Sequence, residues 1–253
     1  MDHLADAVSV SWREALAALA EHVPTGDARR FGGLDAVSVG VPFAMFNQVF
    51  ALAAPVPDEL DAAVRWMTQR GVPFWVTVPD ELSGEVQRLA DSHGLWASDH
   101  TTPGMVLDSL DAIPDTAAAA GIEKVTTAEQ LEAFVNVAAD AFGLPLEYSR
   151  QLAPPQLLGS SQLDCYLGQV DGQPVACGQL VRSDTIAGVY TIGVRADARR
   201  RGIGETMSWR ILRDGRDAGG RIGVLQSSEM ARGVYRRMGF DEVVRYRHFA
   251  PSG

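Results

Sequence analysis

Cysteine, lysine and unbroken apolar runs are the scarce features of this chain, and each scarcity removes a class of protein. Two cysteines in 253 residues cannot staple a small secreted domain, and neither Cys165 nor Cys177 stands in a Cys-x-x-Cys or other metal-ligand spacing. Both are expected as buried free thiols, and no metal is expected. The longest apolar stretch, 37–56, is interrupted by Pro42, Asn47, Gln48 and Pro55, so no segment reads as a membrane span. The start, Met1-Asp2-His3-Leu4-Ala5-Asp6, is acidic and lacks the apolar core of a secretory signal, which makes the cytoplasm the expected location. Lys124 is the single lysine among 22 basic residues, a bias better ascribed to genome composition than to function.

What is present is an ordinary globular balance, 46% apolar and 21% charged, long enough for one large or two small domains. Two are expected. The net charge of −10 is unevenly spread: residues 195–253 hold thirteen Arg against seven Asp and Glu, a local +6, which leaves −16 for residues 1–194. The acidic remainder argues against a nucleic-acid partner and favours a cationic or amine-bearing one.

The basic character gathers around Arg199-Arg200-Arg201-Gly202-Ile203-Gly204, between a strand-like run, 188–194, and a helix-like run, 205–216. Glycines let the backbone come close to a ligand, and the helix start offers unpaired N–H groups and a positive dipole end to an anion. Such a turn can seat a phosphate. Around it the spacing predicts a helix over 126–142 with a Thr126/Glu129 capping box and Leu131, Phe134, Val135, Ala138 and Phe142 on its inner face. Strands follow at 165–170 and 175–181, joined by an Asp171-Gly172 hairpin turn, and a third at 186–194. The helix after the glycine turn presents Met207, Ile211 and Leu212 inward. A strand at 222–225, a helix from Glu229 to Gly239 and a closing strand at 243–249 complete the half.

This order, with the run from Ile192 to Gly204, Ala231, and Tyr235-Arg236-Arg237-Met238-Gly239-Phe240, resembles the GNAT acyltransferase superfamily over about half the chain. The resemblance implies a mixed, mostly antiparallel sheet flanked by helices, and acetyl-CoA as cosubstrate. It implies pantetheine contacts from the strand backbone at Ile192, Gly193 and Val194. It also implies diphosphate contacts from Arg199, Arg200, Arg201, Gly202, Ile203, Gly204 and the first helical amide at Glu205. Tyr235 takes the place of the family's general acid, which protonates the departing thiolate. Ser228 stands where the family often has asparagine; it can still cap the helix or bond the pantetheine, with a shorter reach. Glu147, Asp164 and Glu229 are the carboxylates near acceptor-facing segments, and none is singled out as the base. The expected activity is N-acetyl transfer to a small-molecule amine, and a non-catalytic acyl-CoA sensor is the alternative. Monomer and homodimer both stay open, as does the acceptor.

The first half repeats the order more faintly. Helices are expected over 8–22, 58–70 and 81–93, and strands over 35–41, 46–53, 74–78, 95–97 and 105–107. No Arg-x-x-Gly-x-Gly precedes the helix at Asp58, and Gln87 stands where Tyr235 stands. The reading is therefore a tandem of a degenerate GNAT-like copy without cofactor motif (1–110), a linker (111–121) and an acetyltransferase domain (122–253). Asn47, polar in an apolar setting, reads first as a satisfied turn or strand residue and second as an acceptor contact.

Overall fold

The computed structural model describes residues 3–114 and 121–251, so most of the expected linker lies outside the described residues. In chain order the elements are α1 (His3–His22), β1 (Asp27–Phe31), β2 (Leu34–Ser38), β3 (Asn47–Phe50), α2 (Pro57–Gln69), β4 (Trp75–Pro79), α3 (Ser83–Ser92), β5 (Leu95–Leu107), β6 (Gly121–Lys124), α4 (Ala128–Phe142) and α5 (Leu146–Leu152). They continue with β7 (Leu163–Val170), β8 (Gln173–Ser183), β9 (Ile186–Val194), α6 (Ile203–Asp217), β10 (Ile222–Gln226), α7 (Glu229–Arg237) and β11 (Asp241–Pro251).

Compactness divides the chain into two units, but not at one point in sequence. The first comprises residues 1–104, 227–229 and 242–253; the second comprises 105–226 and 230–241. The expected closing strand, β11, therefore completes the first unit rather than its own half, where Tyr246–Phe249 pair antiparallel with Val76–Pro79 of β4. Its side chains explain the placement. Phe249 joins the core of Leu34, Val49, Leu60, Met67, Phe74 and Val76, and the Tyr246 hydroxyl lies 2.7 Å from Ser9 Oγ with its ring edge-on to Trp12. In exchange, Met105 at the end of β5 enters the second unit's core.

Within the first unit β1, β2 and β3 are antiparallel neighbours and β3 pairs parallel with β4. Strand β1 escapes sequence reading because Asp-Ala-Arg-Arg-Phe is polar and exposed, as suits an edge. Strand β5 is one continuous element of 13 residues where two short strands are expected; its first half is largely exposed, so its polar residues show no alternation. His248 of β11 is fully buried, with Thr77 Oγ1 3.0 Å from Nδ1, Thr102 Oγ1 2.8 Å from Nε2 and the ring stacked 4.3 Å from Trp75. Burial, reinforced by His100, depresses its pKa to about 3. Asn47 is the satisfied knot of this unit: Oδ1 accepts from Ser38 Oγ and Gly40 N, each at 3.0 Å, while Nδ2 donates to the carbonyls of Val41, Phe43 and Pro73. Every bonding position of its amide is used, so it has nothing left for an acceptor.

In the second unit β6, β7, β8 and β9 run antiparallel and β10 lies parallel to β9. The Asp171-Gly172 turn holds φ of 51° and 74°, the positive pair that a two-residue hairpin turn requires. Helix α4 is capped one residue later than expected: Thr127 Oγ1 accepts from Gln130 N while Gln130 Oε1 accepts from Thr127 N, so the box is Thr127/Gln130. Phe142, expected inward, is 45% exposed at the end of α4. Helix α6 buries Met207, Ile211 and Leu212 completely, as its spacing predicts.

Candidate active site

Between β9 and α6 the chain makes a short turn whose geometry follows from two positive φ angles, Arg200 at 61° and Gly202 at 77°. Gly202 is the N-cap of α6. A Cβ there would meet nothing within 4 Å, so what demands glycine is the left-handed backbone and not a lack of room. Because Gly202 has no side chain to cap the helix, and Thr206 N is the first amide to find a carbonyl (Gly202 O, 2.9 Å), the amides of Ile203, Gly204 and Glu205 have no partner within their helix. These donors stand at the positive end of a 15-residue dipole. Arg200, Arg201 and Gly202 are exposed around them.

Arg199 is differently employed. Its Nε donates to Val194 O at 3.0 Å and its Nη2 to Ala141 O at 3.1 Å, which ties the turn to the end of β9 and to α4. At Gly204 a Cβ would lie 3.6 Å from the side chains of both Ile192 and Val194, so the turn and the end of the strand form one surface. Gly193, on the other face, is packed by α4: a Cβ would come within 3.0 Å of Ala141, Phe142 and Cys177 Sγ. Ile192 and Val194 remain partly exposed.

Tyr235, on α7, is 7% exposed, and its hydroxyl bonds the Ser208 side chain. Ser208 Oγ in turn donates to Gly204 O at 2.9 Å, so the phenol is one hydrogen bond removed from the first turn of α6. Burial raises the Tyr235 pKa, with the Ser208 bond opposing, which keeps the hydroxyl protonated at neutral pH. Nothing in the sequence marks Ser208, one turn beyond Gly204, as its partner.

Ser228 falls in the first compact unit, next to Ser227, whose hydroxyl donates to Ser228 O at 2.7 Å. Of the three carboxylates, Asp164 is buried between Lys124 Nζ, at 2.7 Å, and the Arg182 guanidinium, so both its oxygens are engaged. Glu229 pairs with Arg245 at 2.8 Å, and Glu147 is exposed. Burial pushes the Cys165 thiol up to about 11 and Cys177 to about 12, so neither offers a thiolate nucleophile near neutrality. Among the described residues no group of His, Cys, Asp and Glu could hold a metal, and no helix is long and apolar enough to cross a membrane.

The sequence and the fold both have known counterparts. Residues 131–240 match the profile of the acetyltransferase (GNAT) family. No curated protein matches the sequence. Among solved structures, a GCN5-related N-acetyltransferase from Kribbella flavida shares the fold over 97% of this chain and 95% of its own, with a TM-score of 0.71 at 18% identity. A tandem GNAT protein from the clavulanic acid biosynthesis pathway covers 98% of this chain and 97% of its own, with a TM-score of 0.60 at 15% identity. A GCN5-related N-acetyltransferase from Sphaerobacter thermophilus covers 86% and 76%, with a TM-score of 0.60 at 18% identity.

Proposed function

We propose that the chain, whose residues 131–240 match the acetyltransferase (GNAT) family, transfers the acetyl group of acetyl-CoA to a primary amine by direct attack on the thioester. The observation that carries this reading is the three unpaired amides at the start of α6, flanked by exposed arginines, with the Tyr235 hydroxyl linked through Ser208 to that same helical turn. The residues fit the cosubstrate: a left-handed glycine N-cap with open space over it suits a diphosphate, and the arginine-rich surroundings suit its charge. Acetyl-CoA supplies the activated acyl group. The amides of residues 200–205 hold the diphosphate, and the main chain of Ile192 to Val194 takes the pantetheine and polarises the carbonyl.

Tyr235 donates its proton to the leaving sulfur. Burial keeps that proton on the phenol at neutral pH, so it is present when the thiolate leaves. Both cysteines are protonated and buried, which favours direct transfer over a covalent acyl-enzyme. The acceptor is a small cationic amine, drawn by the acidic part of the chain. Residues 122–253, whose closing strand β11 is given to the first unit, act as the acetyltransferase domain and 1–110 as a copy without a cofactor site, in the cytoplasm. Calorimetric titration with CoA, followed by thiol release from acetyl-CoA across a panel of amines, tests the reading. Binding and amine-dependent release support it; binding with no release for any amine would make the chain a sensor.

A further inference from the structure

Strand β9 does not pair evenly with β8. Tyr190 lies opposite Gln179 and Gly193 opposite Cys177, so Gly178 alone faces two residues, Thr191 and Ile192. This bulge holds Thr191 at φ 55°, a conformation that a β-branched residue adopts only when its surroundings impose it. Ile192, carried by the bulge to the other face, lies over Gly178, where a Cβ would come within 2.8 Å of Ile192 Cδ1 and Ile211 Cδ1.

The constraint on Thr191 comes from β8. Its hydroxyl donates to Gln179 Oε1 at 2.5 Å, and its carbonyl accepts from the Cys177 thiol at 3.5 Å. Gln179 is itself buried, 8% exposed, and its Nε2 donates to Cys165 Sγ at 3.5 Å. A buried amide held on both sides is a rigid anchor, and a bulge leaves the amide of its extra residue outside the strand ladder. We propose that Gln179 is a positioning residue for acyl transfer: through the Thr191 hydroxyl it fixes the bulge that aims the main-chain amides of β9 at the thioester carbonyl. This rests on the proposed reading that the β9 main chain meets that carbonyl.

The test is calorimetric titration of the full chain with acetyl-CoA and with S-ethyl-CoA, which keeps the diphosphate and sulfur but has no thioester carbonyl. The wild type is expected to prefer acetyl-CoA by roughly fivefold, the scale of one hydrogen bond. Gln179→Leu and Thr191→Val should each lose that preference while their affinity for S-ethyl-CoA stays within about twofold of wild type. Adding Thr191→Gly to Gln179→Leu should restore it, because glycine takes positive φ without an anchor. A preference kept in Gln179→Leu, or not restored by Thr191→Gly, overturns the positioning role and leaves the cofactor site standing. A wild type that binds both ligands equally overturns the carbonyl contact and this proposal with it. A wild type that binds neither overturns the proposed function itself. Should Gln179→Leu not fold, Thr191→Val, which swaps a hydroxyl for a methyl, decides the matter alone.

Discussion

At the junction of β3 and α2 the chain enters its helix through Val56 and Pro57, with Asp58 and Glu59 in the first turn; at the junction of β9 and α6 it enters through Arg199 to Gly202. Both follow a strand paired in parallel with the next strand of its unit. In the first, proline removes an amide, and the acidic side chains answer the helix dipole themselves while Glu59 also accepts from Gly33 N at 3.0 Å. In the second, left-handed residues open the turn and leave three amides without a partner in their helix, and Glu205 is the one acidic side chain of the first turn. One succession of elements thus gives either a self-satisfied helix start or an anion cradle, and the choice lies in a handful of residues.

Four experiments break or sharpen that contrast. The largest effect is expected at Tyr235: Tyr235→Phe should lower amine-dependent thiol release by roughly 100-fold or more. It should leave acetyl-CoA affinity nearly unchanged, while Gln87→Ala on α3 should change neither. Next comes the turn itself. Gly202→Val forces a β-branched residue to φ 77° and should weaken CoA binding by roughly 5- to 150-fold, the range that such backbone strain commands. Asp58→Asn at the other junction should leave CoA binding as it is, and a gain in binding there would show that the acidic turn alone excludes the diphosphate.

The third concerns the first unit's frame. Asn47→Leu strips five hydrogen bonds from buried or half-buried groups and should cost about 3 kcal/mol in denaturant unfolding, with CoA affinity unaffected. The smallest, taken per pH unit, is a pH effect. His248 is neutral in the folded chain with a pKa near 3, against roughly 6.5 when unfolded, so the unfolded state binds the extra proton as pH falls from about 6.5 toward 3. Its share of stability should drop by roughly 1.4 kcal/mol per pH unit across that window and stay constant above it. His248→Gln should flatten this part of the profile in unfolding titrations.

The second unit was easier to read than the first for a physical reason. Its strands are apolar and its hairpin turn is Asp-Gly, so periodicity and turn chemistry point the same way from β7 to α7. Polar edge strand β1 and the exposed half of β5 carry no such signal, because no buried face imposes an alternation on them. The exchange of β11 into the first unit is invisible for a different reason: its pattern states that it is a strand and says nothing of which core takes Phe249. At the site, glycines and arginines announce the turn because positive φ and anion charge demand those residue types. Thr191 and Ser208 give no such notice. A threonine in a strand looks ordinary until its φ is known, and Ser208 matters only through the bonds it makes to Gly204 and Tyr235.

The main-chain amides of the β9–α6 turn bear the weight of this account, and a crystal of the full chain grown with excess CoA examines them directly. The diphosphate oxygens should lie about 3 Å from the backbone nitrogens of residues 200–205, ordinary hydrogen-bond range. A diphosphate bound elsewhere, or a turn left without any anion at saturating CoA, would contradict it.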